Sequence, residues 1–171
     1  MNLKQTLFAE KMIAHAYKAK RMAGDLWLPA SIMAAQSILE SGWGRRIPTG
    51  EDKKISYNCL GIKAIPPHYV GTNGYVTTGT HEEINGVMVF YPEAMFRAYN
   101  NYAECFTEYI NVIRNSMVKD NKGNKIRRYQ KAIDNREDPK LYIKYLQKCG
   151  YATDSAYAEK VIAIAEGCRF F

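Results

Sequence analysis

Between Leu28 and Gly44 the chain reads Leu-Pro-Ala-Ser-Ile-Met-Ala-Ala-Gln-Ser-Ile-Leu-Glu-Ser-Gly-Trp-Gly, an apolar run that carries one carboxylate, Glu40, near its end. Pro29 suits a first helical turn, where its missing N–H costs nothing, and Gly42 suits the left-handed position just past a helix end. The spacing therefore predicts a helix from about Pro29 to Ser41. On a 3.6-residue wheel Ile32, Ala35 and Leu39 share one face, with Gln36 and Glu40 at its margin beside Met33. The positions three and four residues from Glu40 are Gln36, Ser37, Trp43 and Gly44, so no cation stands where an intrahelical ion pair would hold the charge. The negative end of the helix dipole and partial desolvation both disfavour the ionised form. The segment thus predicts a protonated acid beside an aromatic wall, Trp43; it also fits a glutamate on the wet edge of an ordinary core helix.

The remaining pattern predicts a mostly helical α+β fold, one domain over residues 1–171. Phe8, Met12, Ala16, Ala19, Met22 and Ala23 form a helical stripe over about residues 4–23, ending at Gly24. Residues 45–67 carry Pro48, Gly50, Gly61, Pro66 and Pro67 and predict a long irregular excursion. Tyr75 to Tyr91, with Asn85-Gly86 between two runs of β-formers, predicts one small hairpin. Glu82 and Glu83 precede its turn, and alternation sends them to opposite faces. After Pro92 helices are expected from about Tyr102 to Met117, Arg127 to Asn135, Pro139 to Lys148 and Ser155 to Glu166, with Lys119–Asn124 a polar turn and Thr153 or Asp154 an N-cap.

With 171 residues, 47% of them hydrophobic, the chain can bury a sizeable core. The net charge of +7 points to an acidic partner, while the basic residues, among them Lys11, Lys18, Lys20, Arg21, Arg45, Arg46, Lys53, Lys54, Arg127 and Arg128, read as scattered and unlike a nucleic-acid arm. Cys59, Cys105, Cys149 and Cys168 are far apart, as are His15, His68 and His81, so neither a zinc site nor any other cofactor is expected, and the thiols read as reduced and mostly buried. No apolar run reaches membrane-spanning length, and no signal peptide is visible at Met1-Asn-Leu-Lys-Gln-Thr.

Four segments, in order, resemble glycoside hydrolase family 73, the lysozyme-like N-acetylglucosaminidases of peptidoglycan. Ala35-Gln-Ser-Ile-Leu-Glu-Ser-Gly-Trp-Gly44 is similar to the family's A-Q-x-x-x-E-S-G-W-G helix, and Asn58-Cys-Leu-Gly-Ile-Lys63 to its N-L-F-G-I-K. Thr80-His-Glu-Glu-Ile-Asn-Gly86 resembles its T-x-E-x-x-x-G hairpin, followed by Phe96-Arg-Ala-Tyr99 for F-R-x-Y. Tyr145-Leu-Gln-Lys-Cys-Gly-Tyr-Ala-Thr-Asp154, with Tyr157-Ala158, resembles its G-Y-A-T-D and following Y-A. The departures are Cys59-Leu60 in place of Leu-Phe and a long charged loop from Arg45 to Tyr57.

The resemblance implies a lysozyme-like domain whose β-hairpin lobe lies beside a cleft, with Glu40 as the general acid, Glu82 as the hairpin carboxylate that helps the water attack, and Tyr151 near the reacting sugar. Trp43, Tyr57, Asn58, Tyr145 and Asp154 become candidate substrate contacts. Glycoside cleavage passes through an oxocarbenium-like state that needs a proton at the leaving oxygen and a negative group or nucleophile opposite. Glu82 could equally face solvent, and Tyr151 could be a core aromatic. Thirteen tyrosines suit a sugar groove, although most will be core or surface residues. The expected partners are peptidoglycan strands and the anionic wall, with no nucleic acid or membrane insertion and a monomeric state. The expected setting is a phage lysin released through a holin, a tail-associated hydrolase or a piece of a secreted autolysin. A muramidase or lytic transglycosylase on the same polymer, and a non-catalytic wall-binding module, are the competing readings.

Overall fold

A computed structural model of the chain describes residues 1–84 and 87–171, the side chains of residues 82–84 excepted. Its elements, in order, are α1 (Leu3–Met22), a 3-10 turn (Gly24–Leu26), α2 (Ala30–Ser41), β1 (Tyr75–Ile84), β2 (Val87–Arg97), α3 (Tyr102–Asn115), β3 (Met117–Lys119), β4 (Lys125–Arg127), α4 (Gln130–Asp134), α5 (Pro139–Lys148) and α6 (Tyr157–Gly167). The Asn85-Gly86 turn and the facing of Glu82 and Glu83 lie outside the described residues.

The helix α2 runs through the middle of the core. Every residue from Ala30 to Ile38 is buried, Gln36 and Ser37 completely. The expected one-faced stripe is therefore a helix wrapped on all sides, packed on α1, α5 and α6. Such a helix must satisfy its polar side chains internally. Helix α1 opens on a reciprocal capping box between Asn2 and Gln5 and turns Ala9, Met12, Ala16 and Ala19 inward. Met22, expected on that stripe, is 62% exposed, because the 3-10 turn carries the chain away.

The hairpin is longer than expected. Strand β2 runs through Pro92 to Arg97, where the sequence reads as leaving the sheet. A register shift makes this possible: Thr78 faces Ala94 and Thr80 faces Tyr91, so Pro92 and Glu93 together oppose Gly79. A proline without an N–H fits at such a bulge. The root of the hairpin packs Val76, Phe96 and Ala98 into a small separate core, and an ion pair from Arg97 to Glu108 ties it to α3. The irregular excursion from Ser41 to Tyr75 holds only isolated bridges, among them Lys63 to Phe96.

A second, short ribbon, β3–β4, takes the place of the expected simple turn after α3. Strands of three residues are too short for periodicity to reveal. The helix ahead of it stops at Asn115, and the one behind it starts only at Gln130. Helix α5 spans Pro139–Lys148, as its Asp138 cap and Pro139 predict.

Candidate active site

The C-terminal end of α2 is shaped by three successive residues in the left-handed region, Gly42 (φ 56°), Trp43 (φ 62°) and Gly44 (φ 79°). Ser41 holds the turn: its Oγ donates to the Ser37 carbonyl at 2.6 Å and accepts the Gly44 N–H at 3.0 Å. Gly44 has to be glycine for a second reason, since a Cβ there would stand 2.5 Å from Phe8 Cε2 on α1. The turn sends Trp43 back against the main hydrophobic core. Trp43 is half-buried there and is not among the residues lining the groove. Beyond the turn, Arg46 Nη2 donates to the carbonyls of Leu39 and Glu40, at 3.1 and 3.3 Å, answering the negative end of the helix.

Glu40 opens onto a groove of about 710 Å³. One side is the helix end with Ser41, Arg46, Ile47 and Pro48, another the loop from Asn58 to Gly61 with Lys63, and the third the hairpin through Thr78, Gly79, Thr80, His81, Met88 and Phe96. Glu40 is exposed into this groove, yet protein surrounds its carboxyl on the remaining sides. Burial raises its pKa above the ordinary carboxylate value, opposed by the hydrogen bond from Tyr157 and by the charge of Arg46.

Behind the carboxyl lies a chain of hydrogen bonds whose donors all run one way. Tyr157 Oη donates to Glu40 Oε1 at 2.8 Å, and Gln36 Nε2 donates to Tyr157 Oη at 3.1 Å. Tyr109 Oη donates to Gln36 Oε1 at 2.7 Å. Since Tyr109 has given its only proton to Gln36, the 3.2 Å contact between Tyr109 and Tyr142 must take its proton from Tyr142. The order is thus Tyr142, Tyr109, Gln36, Tyr157, Glu40, and each donor polarises the next. Burial, first among the causes, holds the phenols of Tyr109, Tyr142 and Tyr157 well above their ordinary range, so they remain donors.

Tyr151 stacks against Tyr109, Tyr129 and Tyr157 with ring centroids 5.7 to 6.2 Å apart. Burial, and then the charge of Glu40, push its phenol well above the ordinary range. It therefore stands behind Tyr157 in the same cluster. Asn58 is buried at the groove wall, but its amide is occupied: Nδ2 donates to the carbonyls of Ile62 and Arg97, and Oδ1 accepts the Ile62 N–H. It braces the loop against β2, with both amide hydrogens committed to that brace. Tyr57 (φ 52°) packs edge-on against Tyr102 at 5.3 Å. Tyr145 lies under the ammonium groups of Lys131 and Lys148. Asp154 accepts the Ala156 N–H and pairs with Lys160 at the start of α6. Tyr57, Tyr145 and Asp154 do not line the groove, and neither does any other tyrosine among the described residues. The contacts these side chains make are with the protein itself. The rings stay inside because their hydroxyls find partners there.

For Glu82 the description stops at the backbone, which stands opposite Val89. Two residues before it, Thr80 lines the groove. The sequence did not single out Tyr157 as the partner of Glu40; only its place beside the Y-A-T-D segment pointed to it. Cys59 and Cys105 are buried with their sulfurs 3.8 Å apart, whereas Cys149 and Cys168 are half-buried.

The family model for glucosaminidase, described as mannosyl-glycoprotein endo-beta-N-acetylglucosaminidase, matches residues 16–169. A peptidoglycan hydrolase FlgJ of Pseudomonas aeruginosa is 33% identical over 158 residues, which are 92% of this chain and 35% of that protein. The chain spans less than half the length of FlgJ from P. aeruginosa and from two Vibrio species. Among solved structures, a mutant peptidoglycan hydrolase from Sphingomonas sp. A1 superposes with TM-score 0.73 at 30% identity over 96% of both chains. A truncated glycoside hydrolase domain of Salmonella typhimurium FlgJ gives 0.72 at 27% identity, over 98% of this chain and 99% of that one. The expected lysozyme-like, mostly helical α+β fold is the observed one.

Proposed function

The chain belongs to the glucosaminidase family, glycoside hydrolase family 73, and from that premise we propose that it hydrolyses the bond after N-acetylglucosamine in bacterial peptidoglycan, with Glu40 as the general acid. The observation that carries this reading is the Glu40 carboxyl on the groove, the one carboxyl lining it among the described residues, raised by burial and held at one oxygen by Tyr157. With Oε1 occupied as an acceptor, the proton belongs on Oε2, which has no hydrogen-bond partner among the described residues. Delivery of that proton to the glycosidic oxygen leaves a carboxylate, which then accepts the Tyr157 hydrogen bond more strongly than the neutral acid did. Burial keeps the acid charged with its proton, and the donor chain steadies the anion once the proton has gone. Opposition of that kind keeps a catalytic pKa near the working pH.

Glu82, on the strand that walls the groove, acts as base or electrostatic stabiliser; alternatively the 2-acetamido group of the substrate supplies the nucleophile. Tyr151, always protonated, positions Tyr157 and lines the site behind it. The site of action is the cell wall, reached as a phage lysin, a tail-associated hydrolase or part of a secreted autolysin. No helix among the described residues is long and apolar enough to cross a membrane.

The test is digestion of purified wall, reduction of the products and mass spectrometry. A new reducing end on N-acetylglucosamine supports the reading; a muramic acid end makes the enzyme a muramidase, and an anhydro-muramic end a lytic transglycosylase. Glu40→Gln retains wall binding while turnover falls about a thousandfold or more. Unchanged turnover in that variant sinks the assignment. For Glu82→Gln a smaller loss is expected, and a loss equal to that of Glu40→Gln points to a direct base.

A further inference from the structure

The basic residues are less scattered than they first read. Residues 114–131 hold Arg114, Lys119, Lys122, Lys125, Arg127, Arg128 and Lys131 against one acid, Asp120, a local charge of +6 in a chain whose net charge is +7. This stretch is the β3–β4 ribbon and its two ends. Asp120 is occupied within the ribbon's turn, accepting the N–H groups of Lys122 and Asn124 and the Asn124 amide. The register sets Lys119 directly opposite Lys125 and Met117 opposite Arg127, so Lys119, Lys125 and Arg127 crowd one exposed face. Like charges directly across a ribbon are unfavourable, and no carboxylate among the described residues pairs with them.

The ribbon's base shows the same excess. Arg114, in the last turn of α3, is held below the ordinary guanidinium value by burial and then by the charges of Arg136 and Arg127. Arg114 Nη1 and Arg136 Nε are buried without a hydrogen-bond partner. Arg136 also lies over Trp27, whose ring carries Lys20 as well. Unpaired buried guanidinium N–H groups facing other cations are what an oxyanion would satisfy, and the planar fork matches the two free oxygens of a phosphodiester.

We propose that the β3–β4 ribbon and the Arg114, Arg127 and Arg136 cluster at its base form a second binding site, for the phosphodiester groups of an anionic polymer of the cell wall. The wall as the polymer's source rests on the function proposed above; the phosphate chemistry does not. Single-stranded nucleic acid fits less well, because the stretch has no exposed aromatic for base stacking, its one ring, Tyr129, being buried. A membrane fits less well too. The exposed Met117 and Ile126 point to opposite faces of the ribbon, leaving no apolar face to insert.

The experiment titrates the full chain with purified poly(glycerol phosphate) at several salt concentrations, with poly-glutamate, inorganic phosphate, DNA and phosphatidylglycerol vesicles in parallel. Poly(glycerol phosphate) is expected to bind tightest, inorganic phosphate weakly at the same site. In Lys119→Gln/Lys125→Gln/Arg127→Gln the slope of log affinity against log salt falls by about 2 and affinity drops more than tenfold. The control Lys4→Gln/Lys18→Gln/Lys144→Gln, with three charges removed elsewhere, keeps most of its affinity. Equal losses in the two triple variants, or tighter binding of poly-glutamate, DNA or vesicles, overturn the proposal. Hydrolysis of wall stripped of its phosphate polymer is unchanged in the ribbon variant, while hydrolysis of native wall is slowed. If stripped wall is not hydrolysed even by the unaltered protein, the glycosidase reading fails while polymer binding still stands.

Discussion

Two walls of the groove, the helix end and the hairpin, are built on opposite principles. Behind Glu40, α2 is surrounded on every side, and four polar groups one after another find partners inside the core. Across the groove, the hairpin buries little beyond Val76 and Phe96 at its root, and towards its tip Val87, Met88 and Phe90 are 62, 61 and 56% exposed. The lesson is one of division: the proton donor is held by a stiff, fully satisfied network, while the facing wall is a two-stranded ribbon rooted at one end. Isolated two-stranded ribbons are marginal. This hairpin depends on Phe96, the Arg97–Glu108 ion pair and the Asn58 brace.

The contrast can be broken from either side. The largest effect is expected at Gln36→Leu, which leaves the hydroxyls of Tyr109 and Tyr157 without their amide and lowers global stability by about 2–4 kcal/mol in urea unfolding. A loss below about 1 kcal/mol would mean the network is not satisfied as described. Phe96→Ala removes a comparable transfer energy of about 3 kcal/mol, but its effect is expected to stay local. Amides of β1 and β2 should exchange rapidly while those of α2 keep their protection, and equal loss in both would show one cooperative unit. Gly44→Ala, strained at φ 79° and against Phe8, costs about 2 kcal/mol.

Smaller effects sharpen the electrostatics. The Glu40 pKa is raised in the folded protein, so its contribution to stability is full below the ordinary carboxylate value and fades as pH climbs through the folded value. Activity that needs the protonated acid falls over that same rise. Tyr157→Phe deletes a bond that favours the anion, so the alkaline limb of kcat/KM moves to higher pH, with kcat down about tenfold from lost positioning. Arg46→Gln moves the limb the same way by less, because its charge acts on the carboxyl more weakly than the Tyr157 hydrogen bond does. A limb moving to lower pH in either variant contradicts the account.

Sequence patterns exposed the helices well where the chain punctuates itself. Pro29 and Gly42 bracket α2, and Asp138-Pro139 opens α5, because caps are local. The long stretch between α2 and β1 was legible for the same reason. The ribbon β3–β4 was not, and neither was the passage of β2 through Pro92, which needs a bulge in β2 itself. At the site, Glu40 was legible from its helix. The place of Trp43 was not legible, because a wheel continued past Ser41 ignores three left-handed residues, which set the ring half-buried against the core.

What the chain determines alone is a carboxyl at the end of an apolar helix with no cation one turn away, since helix periodicity and capping act within a few residues. Tertiary structure decided everything that acts on that carboxyl: Tyr157, 117 positions away, the Gln36 and Tyr109 bonds behind it, and Arg46 folded back over the helix end. Hydrogen bonding and desolvation depend on distance in space, and a linear sequence carries that distance only after the core has closed.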